Sequence, residues 1–149
     1  MIALIQRVST ARVEVEGRCC AEIGAGLLAL IGVQRGDGAV EGERLLERIL
    51  GYRVFDDDAG RMNRSLRETA GGLLLVPQFT LAADTSGGTR PGFSTAAEPP
   101  LARSLFTALA AAARAAHAPV ATGEFGAHMR VSLINDGPVT FWLEVAPKA

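Results

Sequence analysis

ARVEVEGRCCAEIGAGLLALIGV, residues 11–33, holds two different signatures of β structure. From Ala11 to Glu16 apolar and polar side chains alternate, the two-residue period of a half-buried strand. Gly17 turns the chain and Ala21 to Ile23 return as a hairpin partner. GLLALIGV, from Gly26 to Val33, is a short continuous apolar run of the kind found in a central strand. With Ile2 to Val8, also apolar and β-prone, the first third reads as a β-meander.

Outward from there, Val40 to Gly51 carries Leu45, Leu46, Ile49 and Leu50 on one helical stripe, which predicts a surface helix packed on the sheet. Tyr52 to Phe55 is a strand candidate ended by DDDAG. Leu73 to Val76 opens a buried strand that is expected to run on through PQFTLAA. Residues 83–100 form a long loop rich in Ser, Thr, Gly and Pro, and loops of that length in compact domains are often functional. Leu101 to His117 is Ala-rich, with Leu101, Leu105 and Leu109 at four-residue steps, and it stops before Pro119. Met129 to Ile134 and Val139 to Val145 are expected to close the chain as a hairpin, with Val139, Phe141, Leu143 and Val145 on one face. Strands with two helices that do not alternate regularly predict a mixed α+β fold, layered or barrel-like, with two main helices on one side.

The chain has 149 residues, 48% hydrophobic and 21% charged, which predicts one packed domain over 1–149 and excludes a disordered chain. A formal charge of −1 with no Lys/Arg-rich block excludes a general nucleic-acid binder, so such a partner would have to be held locally. Arg61, Arg64 and Arg67 recur every third residue and read either as a basic stripe or, with Asp56, Asp57, Asp58 and Glu68 nearby, as a solvated surface. No apolar run reaches the roughly 18–20 residues of a membrane span, and the start lacks a basic region followed by a long apolar one, so a cytoplasmic protein is expected. Cys19 and Cys20 are adjacent, with Cα atoms about 3.8 Å apart, too close for an ordinary disulfide, and read as two free thiols on opposite faces of a strand. With only His117 and His128 beside them, no spaced set of metal ligands can be written, so neither metal nor cofactor is expected.

The chemistry is sparse. There is no G-x-S-x-G elbow, no H-E-x-x-H, no P-loop and no G-x-G-x-x-G opening a helix. His117 ends a helix and His128 opens a strand, positions more often structural than catalytic. PQFTL, residues 77–81, reads as an ordinary strand with Phe79 and Leu81 toward the core, or as part of a site. NDGPVT, residues 135–140, reads as a tight reversal, although Pro138 removes an N–H where the next strand should begin pairing.

MIALIQRV at the start, EIGAGLL, LGYRVF, QFTLAADT, Arg90 with Pro91, and HMRVSLINDGPVTFWLEV occur in an order that closely resembles the D-aminoacyl-tRNA deacylases over essentially the whole length. The resemblance implies an esterase that removes D-amino acids, and some glycine, from the acceptor end of tRNA. It implies a homodimer in which Gly137 and Pro138, joined by a cis peptide, enter the partner's active site and accept hydrogen bonds from the substrate's α-ammonium group. Gln78, Phe79 and Thr80 would line the pocket for the terminal adenosine and the ester. Arg7 would brace the Gly-Pro loop, and Met129 would belong to the pocket. The resemblance further implies that the 2′-hydroxyl of the terminal ribose assists hydrolysis, which suits a chain so poor in general bases. One departure stands out: Pro77 takes the place of the usual Ser. A sister group that edits L-alanine has Pro-Gln-Ala-Thr-Leu there, so Pro77 also leaves open an L-alanyl editing enzyme, and a noncatalytic tRNA-end binding module.

Overall fold

A computed structural model of the chain describes residues 1–148. Its first strand, β1 (Ile2–Val15), is 14 residues long and unites the two segments that the sequence presents separately. One edge of β1 is shared by β3 (Gly26–Gly32) along residues 2–8 and by β2 (Arg18–Ile23) along residues 11–15, both antiparallel. The other edge pairs with β8 (Arg130–Glu144) over nearly its full length. Beyond β3 the sheet continues in parallel through β6 (Gly72–Pro77) and β7 (Val120–Thr122), giving the order β2-β1-β3-β6-β7 with β8 on the far side of β1.

Alternation along these strands builds two cores. Ala3 and Ile5 of β1, Leu27, Ala29 and Ile31 of β3, and Leu73 and Leu75 of β6 share one cluster with the helices. Val8, Ala11, Val13 and Val15, with Leu28, Leu74 and Val76, form the other. The register of β1 against β8 slips between Val8 and Thr10, and the extra residue reverses which side chains of β1 point which way. A single strand thereby serves both faces of a nearly closed mixed sheet. The parallel pair β3 and β6 approaches closely where it begins: a Cβ on Gly26 would lie 1.9 Å from the Gly72 carbonyl oxygen.

Helix α1 (Ala39–Gly51) buries Leu45, Leu46, Ile49 and Leu50, the stripe expected from spacing. The helix α3 (Pro99–Ala116) buries Ala102, Leu105, Phe106, Leu109, Ala110 and Ala113. Leu101 lies one residue off that stripe and stays exposed, so the four-residue pattern overstated its burial. Both helices pack in the same cluster on one side of the sheet, as expected. Among the described residues, no helix is long and apolar enough to cross a membrane.

Two expectations are corrected. Residues 129–145 are no hairpin: residues 136–139 bulge out of β8, which keeps pairing with β1 on both sides, Val8 with Asn135 and Gln6 with Thr140. Two steps of β1 there oppose five steps of β8, and DGPV makes an excursion from a strand instead of a reversal. The Gly137–Pro138 peptide is cis. The strand through PQFTLAA ends at Pro77, because β3 stops at Gly32 and offers no further ladder; Phe79–Ala82 instead form a 3₁₀ turn closed by Leu81 N–H to the Gln78 carbonyl. Three short elements went unread: a hairpin partner, β5 (Met62–Ser65), for β4 (Arg53–Asp56); α2 (Leu66–Thr69), capped by Ser65 and Glu68; and β7.

Candidate functional site

The end of β6 is where the sheet leaves its buried course and produces an open concavity. Gln78 still donates its N–H to Ile31 O (2.7 Å), so the strand is anchored up to the turn. The 3₁₀ turn then swings Phe79 outward; the residue is 57% exposed, against the ordinary-strand reading in which it faces the core. Leu81 lies under the turn against Gly32, where an added Cβ would stand 3.0 Å from the Leu81 Cβ.

A cavity of about 480 Å³ opens beside this turn, with Pro77, Gln78 and Phe79 on one wall and Phe125, His128 and Met129 on the other. The Arg103 guanidinium lies 4.8 Å from the Phe125 ring centroid and holds that wall. The first N–H groups of a 3₁₀ turn have no carbonyl within the turn to bond, so those of Phe79 and Thr80 are available as donors at the rim. Thr80 itself lines a second concavity of about 560 Å³ on the other side of the turn, with Gln34, Asp84, Trp142 and Glu144. The Gln78 side-chain amide donates to the Thr80 hydroxyl, bridging the two sides. Asp84 is held below the usual carboxylate range, first by the Ser86 hydroxyl and then by the Ser86 N–H.

Arg7, Gly137 and Pro138 lie elsewhere. Arg7 Nε donates to Asp136 O (3.0 Å) and Nη1 to Val54 O (2.8 Å), while Asp56 stands 3.5 Å away. The bulge closes on itself: Asn135 Oδ1 accepts from Val139 N–H (3.1 Å) and Asn135 Nδ2 donates to Thr140 Oγ1 (2.8 Å). Gly137 has φ +138, with an added Cβ 2.6 Å from Val139 Cγ2, so only glycine fits. Both Gly137 and Pro138 are exposed. Along β1, Ile2 pairs with Gly32 beside the 3₁₀ turn and Arg7 pairs with Leu27. Five residues of strand, about 17 Å, separate the two places.

Gln78, Phe79 and Met129 are therefore assembled at one cavity, with Thr80 behind them. Arg7, Gly137 and Pro138 form a second group that does not meet the first within one chain. His128, which sequence position marked as structural, is on the cavity wall, and Phe125 was missed because nothing in its local sequence marks the cavity. His117 is structural, its Nε2 lying 2.6 Å from Gly71 O at the opposite end of β6.

A family model described as D-Tyr-tRNA(Tyr) deacylase matches residues 4–144. A D-aminoacyl-tRNA deacylase of Thioalkalivibrio sulfidiphilus is 67% identical over 147 residues, with 99% of each chain covered. One from Alkalilimnicola ehrlichii is 62% identical, covering 100% of this chain and 99% of the other. Among solved structures, one titled c-Myc DNA Unwinding Element Binding Protein superposes with a TM-score of 0.94 at 35% identity, over 99% of this chain and 100% of that one. A probable eukaryotic D-amino acid tRNA deacylase gives 0.82 at 15% identity, over 97% and 98%, a likeness of fold alone. With the match spanning both cores, the 3₁₀ turn and the Gly-Pro bulge, the chain belongs to the D-Tyr-tRNA(Tyr) deacylase family.

Proposed function

We propose that this protein is a D-aminoacyl-tRNA deacylase, hydrolysing the ester between a D-amino acid and the terminal ribose of tRNA in the cytoplasm, with the whole chain as one catalytic domain. Near-complete coverage by relatives so named carries the reading. The terminal nucleoside lies against Phe79, the ester sits near Gln78, and Met129 with Phe125 bounds the cavity. The N–H groups of Phe79 and Thr80 polarise the scissile carbonyl; in other acyl-transfer enzymes one such donor contributes about 2.7–4 kcal/mol.

The site is completed by a second copy of the chain. Gly137 and Pro138 are exposed on a bulge braced by Arg7, about 17 Å along β1 from the 3₁₀ turn, so a cross-subunit arrangement is the one that lets both groups serve one substrate. The rigid main chain accepts hydrogen bonds from the α-ammonium group and leaves no room for an L side chain. Glycine, lacking a side chain, passes the same filter. Each hydrogen bond to the charged group is worth about 1.5–3 kcal/mol, roughly ten- to over a hundredfold per contact. The attacking water is positioned with help from the terminal 2′-hydroxyl, so no side-chain nucleophile is needed and Pro77 in place of a hydroxyl residue is tolerated.

Deacylation of matched D-tyrosyl-tRNA and L-tyrosyl-tRNA by the purified protein, with glycyl-tRNA alongside, tests this. Rapid loss of the D form, slower loss of the glycyl form and an untouched L form are expected. Saturable tRNA binding with no turnover of any substrate would overturn the enzyme in favour of a binding module.

A further inference from the structure

Phe93 lies in the loop that follows the 3₁₀ turn, and its ring centroid is 5.2 Å from that of Phe79 with the planes inclined by 44°. The two rings touch and yet remain open to solvent, Phe79 by 57% and Phe93 by 43%. Phe79 lines the cavity; Phe93 does not, and so carries the aromatic surface outward from the cavity rim. At 44° no parallel slot exists between the rings, so each offers its own face, enough for two successive unpaired bases.

The loop holding Phe93 is fixed. Asp84 and Gly92 exchange two backbone hydrogen bonds (2.8 and 3.0 Å), Ala96 N–H donates to Phe93 O (3.2 Å), and Thr95 Oγ1 donates to Ala82 O (2.5 Å) at the end of the 3₁₀ turn. Its backbone is thus set in place before any ligand arrives and its ring rests against Phe79, which lowers the ordering cost of binding. An exposed, preset aromatic continuous with a nucleoside cavity is the arrangement that captures single-stranded ends by stacking, whatever the base.

We propose that Phe93 is a stacking contact for the penultimate base of the tRNA acceptor end, beside a terminal nucleoside held at Phe79. It rests on the deacylase reading above and adds to it a second base.

The test compares D-tyrosyl-tRNA with 3′-O-(D-tyrosyl)adenosine, which has the terminal nucleoside and nothing before it. Phe93→Ala is expected to lower kcat/KM on the tRNA about 5- to 150-fold and to leave the adenosine ester within about twofold. Phe93→Tyr, which keeps a ring, is expected to retain activity on tRNA, and Phe93→Leu, which keeps apolar bulk, to lose it. Equal losses on both substrates would make Phe93 a mere support for Phe79 and overturn the proposal. So would full activity of Phe93→Leu, or a change from dimer to monomer in light scattering, which would assign the ring to an interface between copies. If the wild-type protein hydrolyses neither substrate, the deacylase reading itself fails and this one falls with it.

Discussion

Arg7 of β1 and Asp136 of the β8 bulge are joined by a guanidinium-to-carbonyl hydrogen bond of 3.0 Å, and the same side chain reaches Val54 O at 2.8 Å. With only 14% of the Arg7 side chain exposed, this fork ties the exposed Gly137–Pro138 segment to two strands at once. Arg7→Ala is expected to lower kcat/KM for D-tyrosyl-tRNA about 10- to 100-fold, the worth of one hydrogen bond from a charged group. Arg7→Lys should fare little better, because an ammonium cannot copy the fork. Steady-state kinetics beside far-UV circular dichroism separates a loosened bulge from an unfolded one.

At Gly137 any side chain collides with Val139 Cγ2 at 2.6 Å and approaches Arg7 Nη2 at 3.2 Å, on a backbone at φ +138. Gly137→Ala therefore displaces the bulge. The expected outcome is at least a tenfold fall in the ratio of D- to L-tyrosyl-tRNA hydrolysis with the melting temperature nearly unchanged, since the bulge is exposed. An unaltered ratio would remove Gly137 from the proposed chiral filter.

His128 is the titratable side chain on the cavity wall, so it is the residue to test for proton transfer. A side-chain general base is worth about 10²–10⁴ in rate, whereas ribose-assisted hydrolysis makes His128 dispensable. His128→Ala is expected to keep kcat within about threefold. Substrate with a 2′-deoxy terminal ribose should react at least about a hundredfold slower. The reverse pattern would return the chemistry to the protein.

Gly26 faces Gly72 across the parallel pair, with 1.9 Å between an added Cβ and the Gly72 oxygen. Backbone cannot yield as a side-chain tip does, so Gly26→Ala is expected to destabilise by at least about 3 kcal/mol, overpacking being costly in a tight core. For a chain of this size that lowers Tm by roughly 6–12 °C. Thermal denaturation with no change would mean that β3 and β6 separate at little cost.

The helices and central strands were legible because their stripes and alternation reflect burial: Leu45, Leu46, Ile49 and Leu50 on α1, and the apolar runs of β3 and β6. The bulge was not, because NDGP satisfies the local chemistry of a reversal equally well, and only the distant pairing of β8 with β1 distinguishes the two. The 3₁₀ turn was hidden for a similar reason: Phe79 and Leu81 alternate like a strand, and what ends the strand is the termination of its neighbour at Gly32. The candidate site residues came from resemblance, since Met129 is remote in sequence from Gln78 and Phe79, and His128 and Phe125 carry no local signal of the cavity they share.

The proposed cross-subunit site makes a prediction that no single-chain site shares. A variant damaged in the bulge, Gly137→Ala, and one damaged at the cavity, Phe79→Ala, are each expected to be poor enzymes as pure proteins. Mixed in equal amounts and allowed to exchange subunits, half of the dimers contain one of each. In every such dimer one site combines an intact bulge with an intact cavity and the other combines both defects, so about a quarter of wild-type activity returns. If bulge and cavity of the same chain served one substrate, each mixed dimer would hold two singly damaged sites and mixing would restore nothing. Activity measured before and after subunit exchange, with dimer formation followed by light scattering, distinguishes these outcomes.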